Sequence, residues 1–222
     1  MNTLKKYSDE IQTNTDLSKY DKILLSFLNN NSGGYLGDPV LNDGCMFARN
    51  MTKLINIKCF HRCNATVETA KELFKKALEN TGTVYIYYSG HGTQRNDLNG
   101  DEEDGKDEAF VFKNGVLLDD DIVAMINNMK CAKLVCIADA CHCGTAWDSD
   151  KFKDEIKNKV ICISSCMDNQ TSKQLVKNGC FTLQFWQLYD ATQKKLNLSE
   201  LNRRLDLFDQ RVITYGDYND WI

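Results

Sequence analysis

Short, almost unbroken apolar runs alternate along this chain with stretches whose apolar residues recur every three or four positions. The runs fall at 21–28, 58–62, 83–88, 132–138, 159–164 and 211–215, and each has the length and composition of a strand buried on both faces. Helical spacing appears over 42–55, where Met46, Phe47, Met51 and Leu54 share a face, and over 67–80, 119–129, 181–191 and 199–208. Thr66 is placed to cap the second of these helices, with Glu68 in its first turn. Asn114-Gly115 is a turn signal that predicts a small hairpin between 109–112 and 115–118. Segments 29–37 and 96–108 read as loops, and residues 1–20 as a polar, partly ordered arm. Strands that alternate with helices predict an α/β fold: a mostly parallel sheet of about six strands, with helices on both faces.

Open α/β sheets bind ligands outside the carboxyl ends of their strands. Two such ends carry chemistry. The run Val84–Tyr88 leads into Ser89-Gly90-His91-Gly92, and the run Lys133–Ala138 leads into Asp139-Ala140-Cys141-His142-Cys143-Gly144. Cys141 lies fifty residues after His91, a separation that a cysteine-histidine peptidase of the caspase type shows. A thiol attacks a carbonyl only as thiolate, so it needs a base. His91 is the candidate, because flanking glycines let the backbone approach a substrate closely. His142 adjoins Cys141, and neighbours along an extended chain point to opposite faces, so it is a poor base for that thiol. His61 is expected on a surface strand. The backbone N–H groups of Gly92 and Cys141 are candidates for an oxyanion hole.

Composition narrows the class. The chain has 222 residues and is 42% hydrophobic, which suits one α/β domain. A formal charge of −4 argues against nucleic acid or an anionic membrane as the main partner. The longest apolar runs are strand-sized, and the first residues lack the apolar core of a secretory signal, so a cytoplasmic location without a membrane span is expected. The ten cysteines include Cys136 and Cys162 inside apolar runs, and the expectation is reduced thiols.

Tyr88-Ser89-Gly90-His91-Gly92 and Asp139-Ala140-Cys141-His142-Cys143-Gly144 together resemble the metacaspases of the caspase-like clan. Asn42-Asp43 and Ser165-Cys166-Met167-Asp168-Asn169-Gln170-Thr171-Ser172 resemble further signatures of that family, and the likeness runs over about residues 20–216. The resemblance implies a caspase-like fold and a Cys141–His91 endopeptidase that cleaves protein or peptide chains after Arg or Lys. Asp43 and Asp139 near the nucleophile suit a cationic P1 side chain. The resemblance adds Ser89 to that S1 pocket. It also implies a large-subunit-like region at about 21–148, a linker at about 148–158, a small-subunit-like region at about 159–222, and a monomer. The chain resembles a type I metacaspase without a prodomain. It departs from the family at Cys143, where a serine is usual, and a second thiol there raises the question of redox control.

Metacaspases commonly bind calcium, and the matching positions are Asp107, Asp119, Asp120 and Asp148, with Asp121 an alternative in the same run. Carboxylate oxygens suit this hard cation rather than zinc. The 97–108 stretch has oxygen ligands in EF-hand order but places Glu102 where that loop needs glycine, so an EF-hand is rejected. A zinc site at Cys59, His61 and Cys63 lacks a second ligand pair. The lysines of 148–159 (Lys151, Lys153, Lys157 and Lys159) mark this stretch as a flexible loop open to self-cleavage. The rival to a peptidase is a catalytically silent scaffold of the same fold.

Overall fold

The computed structural model describes residues 3–97, 99–100, 102, 105–192, 198–207 and 210–216. In chain order the first elements are β1 (Asp9–Glu10), β2 (Lys22–Leu28), α1 (Asp38–Leu54), β3 (Lys58–Cys63), α2 (Val67–Leu78) and β4 (Thr83–Ser89). Then come β5 (Gly92–Asn96), β6 (Lys106–Phe112), β7 (Gly115–Leu118), α3 (Asp119–Ile126) and β8 (Lys133–Asp139). The remainder is α4 (Asp154–Lys157), β9 (Val160–Ser164), α5 (Cys180–Ala191), α6 (Leu198–Arg204), β10 (Asp206–Leu207), β11 (Gln210–Arg211) and β12 (Ile213–Tyr215).

The central sheet has seven strands in the order β1-β3-β2-β4-β8-β9-β12, parallel except for β12 against β9. The mostly parallel α/β architecture expected from the apolar runs is therefore present, and the N-terminal arm supplies an extra edge strand. That arm is not loose: Leu4, Ile11 and Leu17 are buried, and β1 pairs with β3. This corrects the placement of His61. Covering the edge of β3 buries its imidazole, whose Nδ1 lies 3.1 Å from Ser8 Oγ.

Alternate residues of β2 face opposite layers, as a pleated strand requires. Ile23, Leu25 and Phe27 pack with Leu73 and Phe74 of α2 and Ile122 and Ile126 of α3. Leu24 and Leu28 pack with Phe47 and Met51 of α1 and Phe181 and Phe185 of α5. At Gly44 the α1 backbone comes so near the sheet that a Cβ would lie 2.4 Å from Leu28 Cδ1. Helix α1 begins four residues earlier than its apolar spacing suggests, because Pro39 supplies a preformed first turn. Thr66 caps α2 as expected, its Oγ1 accepting from Thr69 N at 3.2 Å.

Two segments differ from expectation. The hairpin is a three-stranded antiparallel sheet, β5-β6-β7, so strands enter the 96–108 loop from both sides. Residues Gly92–Asn96 are polar and half-exposed, which hides β5 from any hydrophobic pattern. Positions 98, 101, 103 and 104 of the loop lie outside the described residues. Helix α6 ends at Arg204, and 206–207 pair with 210–211; Phe208 lies outside the described residues. No described helix is long and apolar enough to cross a membrane, and all ten cysteines are free thiols.

Candidate active site

Strands β4 and β8 pair in register down to Ser89 opposite Asp139, so both motif loops leave the sheet at one level. Gly90 N then donates to the Asp139 carbonyl at 3.3 Å. Gly92 packs directly on the carbonyl of Cys141, where a Cβ would fall 1.8 Å from the oxygen. Glycine at 92 therefore lets the histidine and cysteine loops touch through backbone alone.

One cleft of about 130 Å³ is bounded by Asp43, Ser89, Gly90, His91, Asp139, Ala140, Cys141, Ser172–Gln174 and Gly179. All three S1 candidates and both members of the candidate dyad line it. Asp43 projects from α1 and accepts from Gly179 N at 2.9 Å and from Asn178 Nδ2 at 2.8 Å, with Ser89 as a further donor. Asp139 accepts from Ser172 Oγ, Thr182 Oγ1 and Thr182 N at 2.8, 2.8 and 3.2 Å. Burial first, and then the repulsion of Asp139, pushes the Asp43 carboxyl up to about 8. Burial raises Asp139 as well. The cleft thus holds two desolvated carboxyls, whose burial a guanidinium or ammonium would offset.

Asn178, Gly179, Thr182 and Gln210 support this cleft and carry no signal that sequence reasoning used. Gly179 is the tightest: a Cβ there would lie 2.3 Å from Asp139 Oδ2 and 3.0 Å from Asp43 Oδ2. Gln210 Nε2 reaches the Ser165 carbonyl, and its Oε1 accepts from Lys173 N at 2.9 Å, which fixes the wall strand.

His91 leans over the turn at Gly33-Gly34, where a Cβ on Gly34 would stand 3.2 Å from its Nε2. Its carbonyl accepts from the buried Tyr88 hydroxyl at 2.7 Å, which anchors the loop. Cys141 is half-buried and its Sγ faces the Ser172 carbonyl at 3.9 Å. Burial pushes this thiol above its ordinary range, so it rests protonated. His142 adopts a left-handed backbone with φ of 47°, and its Nδ1 donates to the Asp168 carbonyl. Cys143 is fully buried, 3.5 Å from Ser165 Oγ and 3.9 Å from Cys166 Sγ. It packs the motif loop against the end of β9, a place where a serine hydroxyl would also find partners. Cys59 Sγ faces the Ala48 carbonyl while His61 meets Ser8, so these two side chains of the zinc reading have other partners.

The acidic residues divide into separate groups. Asp119 accepts from Glu108 N and from Asp120 N, both at 2.8 Å, and burial raises its carboxyl to about 7. Asp107 is buried on β6 opposite Arg95 of β5. Asp121 turns to α2 and pairs with Lys71 at 2.8 Å. Asp120 and Asp148 instead converge on the ammonium of Lys151.

Residues 41–150 match the family model described as metacaspase, peptidase C14 domain. Metacaspase-1 of Pyricularia oryzae is 43% identical over 72 residues, 30% of this chain and 18% of that protein. Metacaspase-1 of Arabidopsis thaliana is 32% identical over 143 residues, 50% of this chain and 39% of that protein. The chain thus matches well under half the length of these curated relatives. A solved protein from Geobacter sulfurreducens superposes with a TM-score of 0.68 at 24% identity, covering 89% of this chain and 94% of the other, a likeness of fold. The matched region runs from Asn42-Asp43 through both motif loops, and on these grounds the chain belongs to the metacaspase family.

Proposed function

We propose that this protein is a cysteine endopeptidase that hydrolyses the bond after Arg or Lys in protein or peptide chains. The observation that carries the reading is the convergence of Asp43 and Asp139 in the cleft that Cys141 and His91 also line. Two desolvated carboxyls attract a cationic P1 side chain and repel an acidic one.

The chemistry follows from the resting state of the thiol. Because burial keeps Cys141 protonated, His91 removes its proton as the sulfur attacks the scissile carbonyl carbon. The C–N bond breaks as His91 returns that proton to the leaving amine. Water, deprotonated by the same imidazole, then attacks the thioester and frees the thiol. The N–H groups of Gly92 and Cys141 serve the oxyanion in this reading.

Calcium stimulation belongs to the same proposal. Asp120 and Asp148 both pair with the Lys151 ammonium, so hard oxygen donors from the two places lie near one another, which supports this part of the reading. Bound there, calcium would cross-link the start of α3 to the turn after Cys141. Self-processing within 148–158 completes the proposal. The stretch is not the flexible loop its lysines suggest: Ser149–Lys151 and α4 are helical turns, and Phe152 and Ile156 are buried. Lys153 is its exposed basic position, whereas the carbonyl of Lys159, just beyond it, accepts from Leu134 N at 2.8 Å in the sheet.

Reporter peptides ending in Arg, Lys or Asp test this, with and without calcium. The expected result is cleavage after Arg or Lys that Cys141→Ala abolishes. Cleavage only after Asp, or an active Cys141→Ala, refutes it. An Arg-directed covalent probe that leaves Cys141 unmodified in folded protein would instead favour the scaffold reading.

A further inference from the structure

Cys143 has no part in the proposed chemistry, yet it does not stand alone. It is fully buried, with its Sγ 3.9 Å from the equally buried Sγ of Cys166 and 3.5 Å from Ser165 Oγ. The two thiols belong to two segments that both reach the cleft: the Cys141 loop, and the stretch that leaves β9 and runs on to Ser172. These segments touch through backbone, since a Cβ on Gly144 would lie 3.0 Å from Met167 Cα. His142 N and Thr145 N also donate across, to the Gln170 carbonyl at 3.0 Å and to Asp168 Oδ1 at 2.7 Å. Ser172, at the far end of the second segment, donates to Asp139 and presents its carbonyl to Cys141 Sγ. A change of spacing between Cys143 and Cys166 therefore reaches both Cys141 and the carboxyl pocket.

We propose that Cys143 and Cys166 are a redox-sensitive pair, which hydrogen peroxide joins as a disulfide that draws the Cys141 loop onto the stretch after β9 and lowers activity. Burial in apolar surroundings alone would leave both thiols inert, but their polar neighbours divide the work between them. Burial resists ionisation of Cys143, yet hydrogen bonds with Cys166 and Ser165 hold its thiol below the ordinary range. The hydrogen bond to Cys143, and then burial, pushes Cys166 up, so Cys166 keeps its proton. The Cys143 thiolate attacks one peroxide oxygen, the O–O bond breaks, and hydroxide departs, leaving a sulfenic acid on Cys143. The Cys166 sulfur then attacks the Cys143 sulfur, the S–O bond breaks, and the departing hydroxide takes the Cys166 proton as water. The first hydroxide takes the proton that Cys143 had released. Two thiols are oxidised, and one peroxide is reduced to two waters. A disulfide holds its sulfurs about 2 Å apart, roughly half the present spacing, so closure must move one segment against the other. A shift of about 1 Å at Cys141 is enough to slow a reaction that depends on its position.

The loss of activity rests on the proposed peptidase reading, whereas the bond itself is read by mass, so the two can fail separately. The full chain carrying Cys141→Ala, which keeps that thiol from consuming oxidant, is treated with hydrogen peroxide, alkylated and digested with trypsin. The peptides that begin after Lys133 and Lys159 should appear joined. They also hold Cys136 and Cys162, which face each other across β8 and β9, so further variants assign the bond. Adding Cys143→Ser or Cys166→Ala should abolish the link, and adding Cys162→Ala should leave it. Alkylated thiols at both 143 and 166 after treatment, or a link that survives Cys143→Ser, overturns the assignment. Reporter activity is then followed with Cys141 in place, each protein normalised to its own reduced state. After peroxide, Cys143→Ser should retain about tenfold more activity than the wild type, and dithiothreitol should close that gap. Equal loss in the two refutes the coupling to the cleft.

Discussion

Gly179 shows how much one missing methyl can decide. It stands between the two cleft carboxyls and donates to Asp43, and a Cβ would collide with Asp139. Gly179→Ala should lower kcat/KM on Arg reporters roughly 100-fold, since an ångström of misplacement in a binding group costs about that much. Near-wild-type kinetics would show that the two carboxyls do not act as one pocket. Asp43 makes a second residue-scale prediction. Its carboxyl is raised in the folded chain to about 8, while the unfolded chain releases the same proton in the ordinary carboxylate range. The folded state therefore binds more protons between those limits, so stability is full below the ordinary range and falls as pH climbs toward 8. Asp43→Asn removes that loss. Its melting temperature at pH 8 should exceed that of the wild type, by roughly 2–4 °C for each kcal/mol recovered. The same variant should lose its preference for basic P1 residues, so the cleft is more stable without the group its function needs. A variant that melts lower at pH 8 contradicts the buried-carboxyl account.

At the scale of elements, strand ends and the loops leaving them are legible in sequence because an apolar run has clear limits. That legibility gave Ser89, His91, Asp139 and Cys141 their common location. Asn42-Asp43 was placed in a helix by its periodicity, though the start of α1 needed Pro39. The supports of the cleft are illegible for a physical reason: Asn178, Gly179 and Gln210 act through backbone contacts and single side chains in irregular segments, where no period exists to read. β5 is hidden from a hydrophobic reading because polar strands carry no apolar alternation. The burial of His61 is equally illegible, because strand β1, only two residues long, is too short to leave a pattern. His142 is a further case of geometry set by an element. A left-handed φ of 47° favours Asn, Asp and His among residues other than glycine. His142→Asn should keep kcat within roughly threefold, while the β-branched His142→Val should lose about 1–2 kcal/mol of stability in denaturant melts. An inactive but well-folded His142→Asn would give that imidazole a chemical role after all.

On the scale of the whole molecule, the sheet runs without a break through both halves of the chain. Strand β8, which leads into the Cys141 loop, pairs with β9 from Leu134 opposite Val160 to Ala138 opposite Ser164. Beyond that ladder, Ser165 N donates to the Ala138 carbonyl at 2.9 Å, and Ser165 Oγ accepts from Ala140 N at 3.2 Å. The stretch 148–158 between these strands makes none of those contacts. A cut at Lys153 would therefore sever the covalent path and leave the two fragments hydrogen-bonded side by side. Processing would work as a latch and not as a release. The nicked protein should run on size exclusion at the position of the intact chain and should keep its reporter activity. Only denaturant should part the fragments. If they separate in native buffer, the sheet does not hold them together. Fragments that stay together would show that the pairing of two central strands makes this fold tolerant of a break in its chain.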